Sequence, residues 1–160
     1  MNDFPWMQDF LAAVRAHLAA RLRRCGRIDS ALLRTRPAKL PLAILGPPVP
    51  LCPRNPEHRL IAYGTLVPGG LFHHLLQDLP GDWRPCTIRG QMGLIRVYRS
   101  FRWNPEGEAH QAWLLTSPEL PRKFAQLDRF EGKAYRRRLI PALVGGCLVA
   151  AYVYEGRMRV

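Results

Sequence analysis

A chain of 160 residues, 48% of them hydrophobic, is enough for one domain with a sizeable core and thin for two. Its formal net charge is +12, from 24 Lys+Arg against 12 Asp+Glu. That balance favours nucleic acid, an anionic surface or a small acidic substrate without choosing among them. Cys25, Cys52, Cys86 and Cys147 form no CxxC pair and no Cys/His cluster at ligand spacing, which argues against a zinc site.

The chain opens with "MNDFPWMQDFLAAVRAHLAARLRR". Phe10, Val14, Leu18 and Leu22 recur at helical spacing, with Arg15, Arg21, Arg23 and Arg24 between them, so the pattern predicts a basic amphipathic helix. Asp3, Asp9 and the interruption at Arg15 and His17 do not suit a secretory signal or a membrane span. The expectation is a cytoplasmic chain with reduced thiols. The helix packs on the domain or stays solvated; a membrane-surface, targeting or nucleic-acid role is the alternative.

Residues 37–56 hold seven of the fifteen prolines. Proline fixes φ and lacks a donor, so this stretch reads as an extended linker. It divides the chain into an N-terminal extension, 1–57, and a compact domain, 58–160. The extension carries +5 of the +12 charge. The charge is therefore spread out, and no dedicated basic arm stands out.

In the domain, "RLIAY" (59–63) reads as a strand ending at Gly64. "LFHHLLQDL" (71–79) reads as a short helix stopped by Pro80-Gly81. "TIRGQMGLIRVY" (87–98) and "HQAWLLTS" (110–117) read as strands. A helix is expected next, with Ser117 as N-cap, Pro118 in the first turn, and Phe124, Leu127 and Phe130 as its apolar stripe. Gly132 ends it. "YRRRLIPALV" and "CLVAAYVYE" form a hairpin about Gly145-Gly146. Strands outnumber helices and some neighbours must be antiparallel, so the fold class is α+β: a small mixed sheet or barrel with a few flanking helices.

Two stretches can carry chemistry. "AYGTL" (62–66), extended by "VPGG", frees backbone N–H groups that can hold a carboxylate, a phosphate or an oxyanion; an ordinary turn is the plainer reading. No GxxxxGK[ST] or GxGxxG occurs, and Ser100 and Ser117 lack the surroundings of a nucleophile elbow. Glu131, one residue before Gly132, is either a solvated helix-end carboxylate or an acid/base. Burial among Phe130, Tyr135 and Trp113 would raise its pKa for the second role. A carboxylate near a helix C-terminus opposes the dipole, a small misfit in favour of function. Asp128, one turn earlier, makes a carboxylate pair geometrically possible. Tyr98, Phe101, Trp103 and Trp113 with Arg96, Arg99 and Arg102 form either a base-stacking surface or a half-buried strand and its flank. "YRRR" (135–138) reads most simply as a strand with exposed arginines.

"AYGTLVPGG", followed some sixty residues later by "LDRFEGKAYRR", resembles the gamma-glutamylcyclotransferase-like superfamily, which includes the AIG2-like proteins. The resemblance covers roughly residues 59–156. It rests on Tyr63, Gly64, Thr65 and Leu66, then Leu127, Asp128, Glu131 and Gly132, then Tyr135 and Arg137. It implies a barrel-like mixed fold and a pocket in which the Tyr63–Leu66 loop holds a gamma-glutamyl head group. It also implies Glu131 as acid/base, Tyr135 in the pocket wall, and no metal or cofactor. The implied partner is a small gamma-glutamyl substrate, with no nucleic acid and no membrane span. Phe72 stands where the family often has Asn, and "YRSF" (98–101) where it often has Tyr-Pro-(Ala/Gly)-Leu. These departures leave two alternatives beside catalysis: a binding or regulatory domain of the same fold, and an anionic-polymer binder.

Overall fold

The computed structural model describes residues 51–52, 55–104 and 107–157. The basic N-terminal helix and most of the proline-rich stretch lie outside them. In chain order the elements are β1 (Leu51–Cys52), β2 (Arg59–Ala62), β3 (Asp82–Ile95), β4 (Tyr98–Trp103) and β5 (Glu108–Thr116). After these come α1 (Phe124–Glu131), β6 (Tyr135–Val144) and β7 (Cys147–Gly156).

Five strands close on themselves in the order β2-β5-β3-β6-β7 and back to β2. The β2–β7 pairing is parallel and the other four are antiparallel, so the barrel is mixed, as expected. Closure between β3 and β6 rests on a single register pair, Thr87 opposite Leu143. β4 extends β3 beyond the ring, and β1 adds to β7 in parallel.

β7 is buried on both faces from Leu148 to Gly156, which explains its nearly unbroken apolar run. One face meets α1, with the Tyr152 ring edge-on to Phe124 at 5.4 Å and the Tyr154 hydroxyl donating to Asp128 at 2.6 Å. The other face carries Glu155, which is fully buried. Its carboxylate accepts from Arg138 at 2.6 Å, from Arg136 at 2.9 Å and from the Trp103 backbone N–H at 2.7 Å. An ion removed from water is tolerated only when paired and hydrogen-bonded in this way. The "YRRR" strand is therefore not a row of exposed arginines. Arg138 is 3% exposed, and the Arg137 guanidinium lies 3.9 Å from the centre of the Phe124 ring.

Three local expectations change. Residues 71–79 form only one turn of 3-10 helix, His73–Leu75. Successive i→i+3 bonds (Leu75 to Phe72, Leu76 to His73, Leu79 to Leu76) take up the loop, and so short a segment gains little from α propagation. The strand expected at 87–98 is a hairpin. β3 begins at Asp82 and ends at Ile95, the chain turns at Arg96-Val97, and Tyr98 opens β4. Arg96 takes that turn with φ +57°, and nothing in its residue type announces a turn. The helix expected from Ser117 becomes α-helical only at Phe124, after a 3-10 turn at Leu120–Lys123. Pro121 has no N–H to donate, while Ser117 Oγ accepts from Glu119 and its carbonyl from Leu120.

Phe101 and Trp103 are buried, so the aromatics near the arginines do not make one stacking surface. Cys86 is a buried free thiol whose pKa burial raises to about 12, which leaves it inert as a nucleophile.

Candidate active site

The loop after β2 is fixed at its root by Tyr63. Its hydroxyl donates to the Tyr154 carbonyl of β7 at 2.6 Å and accepts from the Phe101 N–H of β4 at 3.2 Å. One phenol thus joins three strands, and burial raises its pKa strongly. Beyond it the loop closes on itself: Phe72 N–H donates to the Thr65 carbonyl at 2.9 Å and Gly70 N–H to Val67 at 2.7 Å. A Cβ at Gly70 would lie 2.4 Å from the Thr65 oxygen, so the closure requires glycine there. Among the described residues no acceptor takes the N–H groups of Gly64, Thr65 or Leu66. Consecutive free amides of this kind suit an anionic oxygen.

Glu131 is the last residue of α1. Gly132 caps the helix with φ +63° and returns its N–H to the Asp128 carbonyl, a conformation costly for a residue with a Cβ. The sharp exit leaves the Glu131 side chain in the wall of a cavity of about 750 Å³. Burial raises its carboxyl from 4.5 to about 7. Tyr63, Tyr135 and Tyr154 stand near enough for its charge to oppose their ionisation, after the larger effect of their own burial. Among the described residues Glu131 has no hydrogen bond or ion pair.

The helix carrying it is held by the rest of its motif. Leu127 is fully buried. Asp128 accepts from Tyr154 and lies 3.4 Å from Arg137, so it acts as a tie between α1 and the β6–β7 hairpin, not as half of a carboxylate pair. Lys123, just before the helix, binds Asp78 of the β2–β3 connection at 2.8 Å.

Tyr63, Gly64, Thr65, Leu66, Glu131 and Tyr135 all line the one cavity. The Tyr135 hydroxyl donates to the Arg99 carbonyl at 3.0 Å. Trp113, expected beside Glu131, sits on β5 opposite Ala62 and does not line it. Phe72, marked in the sequence as a departure from the family pattern, lines it too, as do Arg96 and Arg99, read there only as part of a stacking surface or strand flank; sequence reading gave no site role to Tyr154 or Lys133, which also line it. Arg96 is notable for its backbone, since a positive φ costs a non-glycine residue about 1 kcal/mol or more. No three His, Cys, Asp or Glu side chains cluster as a metal site would need among the described residues. No helix among them is long and apolar enough to cross a membrane.

The family model described as gamma-glutamyl cyclotransferase, AIG2-like, matches residues 60–159. Among solved structures, the chain is similar to an AIG2-like protein from Mus musculus at 21% identity and TM-score 0.53, covering 64% of this chain and 79% of that one. It is similar to a protein of Arabidopsis thaliana at 22% identity and TM-score 0.51, covering 64% and 70%. YkqA from Bacillus subtilis shares 20% identity at TM-score 0.53, over 63% of this chain and only 36% of its own length. These likenesses speak to the fold. No curated protein matches.

Proposed function

The chain belongs to the gamma-glutamyl cyclotransferase, AIG2-like family, and from that premise we propose that it cyclises a gamma-glutamyl compound to 5-oxoproline with Glu131 as acid/base. In the substrate the free α-amine attacks its own γ-carbonyl carbon. A C–N bond closes the five-membered lactam, and the C–N bond to the leaving amine breaks. The attacking nitrogen sheds two protons and the leaving nitrogen gains two, so one carboxylate carrying protons between them balances the reaction.

Because attack is intramolecular, the protein's task is to hold the chain folded and stabilise charge. The free N–H groups of Gly64, Thr65 and Leu66 suit the substrate carboxylate or the developing oxyanion. The Tyr63 ring lines the same space while its hydroxyl is occupied in the scaffold. Tyr135 adds a wall beside Glu131.

One observation carries this reading: a carboxyl held at about 7 shares a cavity with a loop of unbonded amides. A group poised near neutral pH can both take and return a proton. The test is 5-oxoproline release from a panel of gamma-glutamyl compounds, wild type beside Glu131→Gln. Turnover confined to the wild type is expected. Full turnover in the variant would remove Glu131 from the reaction, and binding without turnover would favour a non-catalytic domain of the same fold.

A further inference from the structure

The amide loop and Glu131 belong to elements far apart in the chain, and one residue bonds to the supports of both. Through its backbone carbonyl, Tyr154 of β7 accepts from the Tyr63 hydroxyl at 2.6 Å, at the root of the loop. Its own hydroxyl donates to Asp128 Oδ1 at 2.6 Å, one helical turn before Glu131. The Asp128 carbonyl in turn receives the Gly132 N–H that closes the helix exit. Arg137, opposite Tyr154 in the β6–β7 ladder, lies 3.4 Å from the second Asp128 oxygen. Tyr154 is 4% exposed, and burial raises its pKa strongly, so the phenol stays a neutral donor. α1 has only eight residues, and so short a helix relies on tertiary ties to hold its last turn. Phe72 and Phe130 also join the two halves, at 4.9 Å, but a ring contact is less directional than a short hydrogen bond.

We infer that Tyr154 is the positioning residue of the site: it sets the separation of Glu131 from the loop amides, holding the loop through its carbonyl and the helix end through its hydroxyl. The inference deepens the reaction proposed above and rests on it. Cyclisation needs the proton carrier and the anion-holding amides at one fixed spacing, and a displacement of about 1 Å can cost about a hundredfold in rate. Tyr154 does no chemistry itself, since its hydroxyl is spent on Asp128. Burial is what raises the Glu131 carboxyl, so its titration reports how deep the helix end sits. The other titratable groups lining the cavity are Tyr63, Tyr98, Tyr135 and Tyr154 with Arg96, Arg99 and Lys133, and Asp128 stands one turn back. Phenylalanine at 154 changes the charge of none of them.

The test compares the full chain with Tyr154→Phe, Asp128→Ala and Asp128→Asn, each assayed well below its unfolding midpoint. Tyr154→Phe keeps the ring and the carbonyl and removes only the hydroxyl. For a gamma-glutamyl compound that the wild type turns over, kcat is expected to fall about ten- to a hundredfold in Tyr154→Phe and in Asp128→Ala, with KM within about threefold. The double variant loses no more than the slower single one, because both break the same tie. Asp128→Asn keeps an acceptor for the phenol and is expected to retain at least about half of kcat. Carboxyl NMR of Glu131 is expected to show its titration midpoint lowered by about one pH unit in Tyr154→Phe, as water reaches the freed helix end, and little changed in Asp128→Asn. Lost stability with kcat and midpoint unchanged overturns the inference, as does an Asn variant as slow as the Ala one. If the wild type releases no 5-oxoproline from any compound, the proposed reaction falls by itself. The Glu131 titration then still decides: a midpoint lowered by Tyr154→Phe alone supports the inference, and equal midpoints overturn it.

Discussion

Replacing Glu131 by glutamine separates the charge at the site from its shape. Burial moves the carboxyl from 4.5 to about 7. Below pH 4.5 the group is neutral in the folded and unfolded chain and adds no pH dependence. Between 4.5 and 7 the unfolded chain loses the proton and the folded chain keeps it. The unfolded state then binds fewer protons, so stability falls as pH rises. Above 7 both states are ionised and the loss is complete. A gap of about 2.5 pH units corresponds to about 3 kcal/mol, and solvent reaching the half-buried carboxyl lowers that towards about 2 kcal/mol. Glutamine cannot ionise and lacks this slope. Urea unfolding of both proteins from pH 4.5 to 8.5 is therefore expected to show the variant gaining about 2–3 kcal/mol on the wild type across the range. A difference that stays flat with pH would refute the burial argument. Under the proposed reaction, the variant most stable at alkaline pH is also expected to be the inactive one, the pattern of a functional charge held against the preference of the fold.

In the proposed reaction the ionised form of Glu131 accepts the first proton, so the rate of 5-oxoproline release is expected to rise with pH through about 7; a profile flat from pH 5.5 to 8 would contradict this. Glu155→Gln removes the buried carboxylate on which Arg136, Arg138 and the Trp103 N–H converge and should cost about 3–5 kcal/mol in thermal or urea unfolding. A loss below about 1 kcal/mol would mean the pair is not the tie described. Tyr63→Phe removes a hydroxyl bonded to Tyr154 and Phe101, so stability should fall by about 1–3 kcal/mol. KM is expected to stay within about twofold, since the hydroxyl is already occupied; a large KM increase with unchanged stability would assign it to the substrate instead.

The fold class and the two halves of the candidate site were legible because each rests on local chemistry. The glycines at 64 and 70 mark the loop, Gly132 marks the helix exit, and the alternation around Gly145-Gly146 marks the hairpin. What escaped depends on residues far apart in the chain. Glu155 looks like any strand-end acid until β4, β6 and β7 meet around it. Trp103 and Phe101 read either as a stacking surface or as a half-buried strand, and only the folded hairpin decides for the second. Arg96 hides a turn because its backbone runs against its residue type. The cavity's cations come from that hairpin and from the residue after Gly132, elements whose nearness only closure of the barrel creates.

The parallel pairing of β2 with β7 has a bearing on when the site comes into being. These strands are the first and last of the barrel, with Leu60 beside Tyr152 and Ile61 beside Val153. The Tyr63–Tyr154 bond that fixes the loop spans 91 residues. Contacts so distant in sequence form late, after the entropy of closing a long chain has been met. A chain emerging from the ribosome holds the loop and Glu131 well before it holds Tyr154. Until that last strand docks, the loop and Glu131 exist with no cavity to join them, so the proposed activity waits on completed folding.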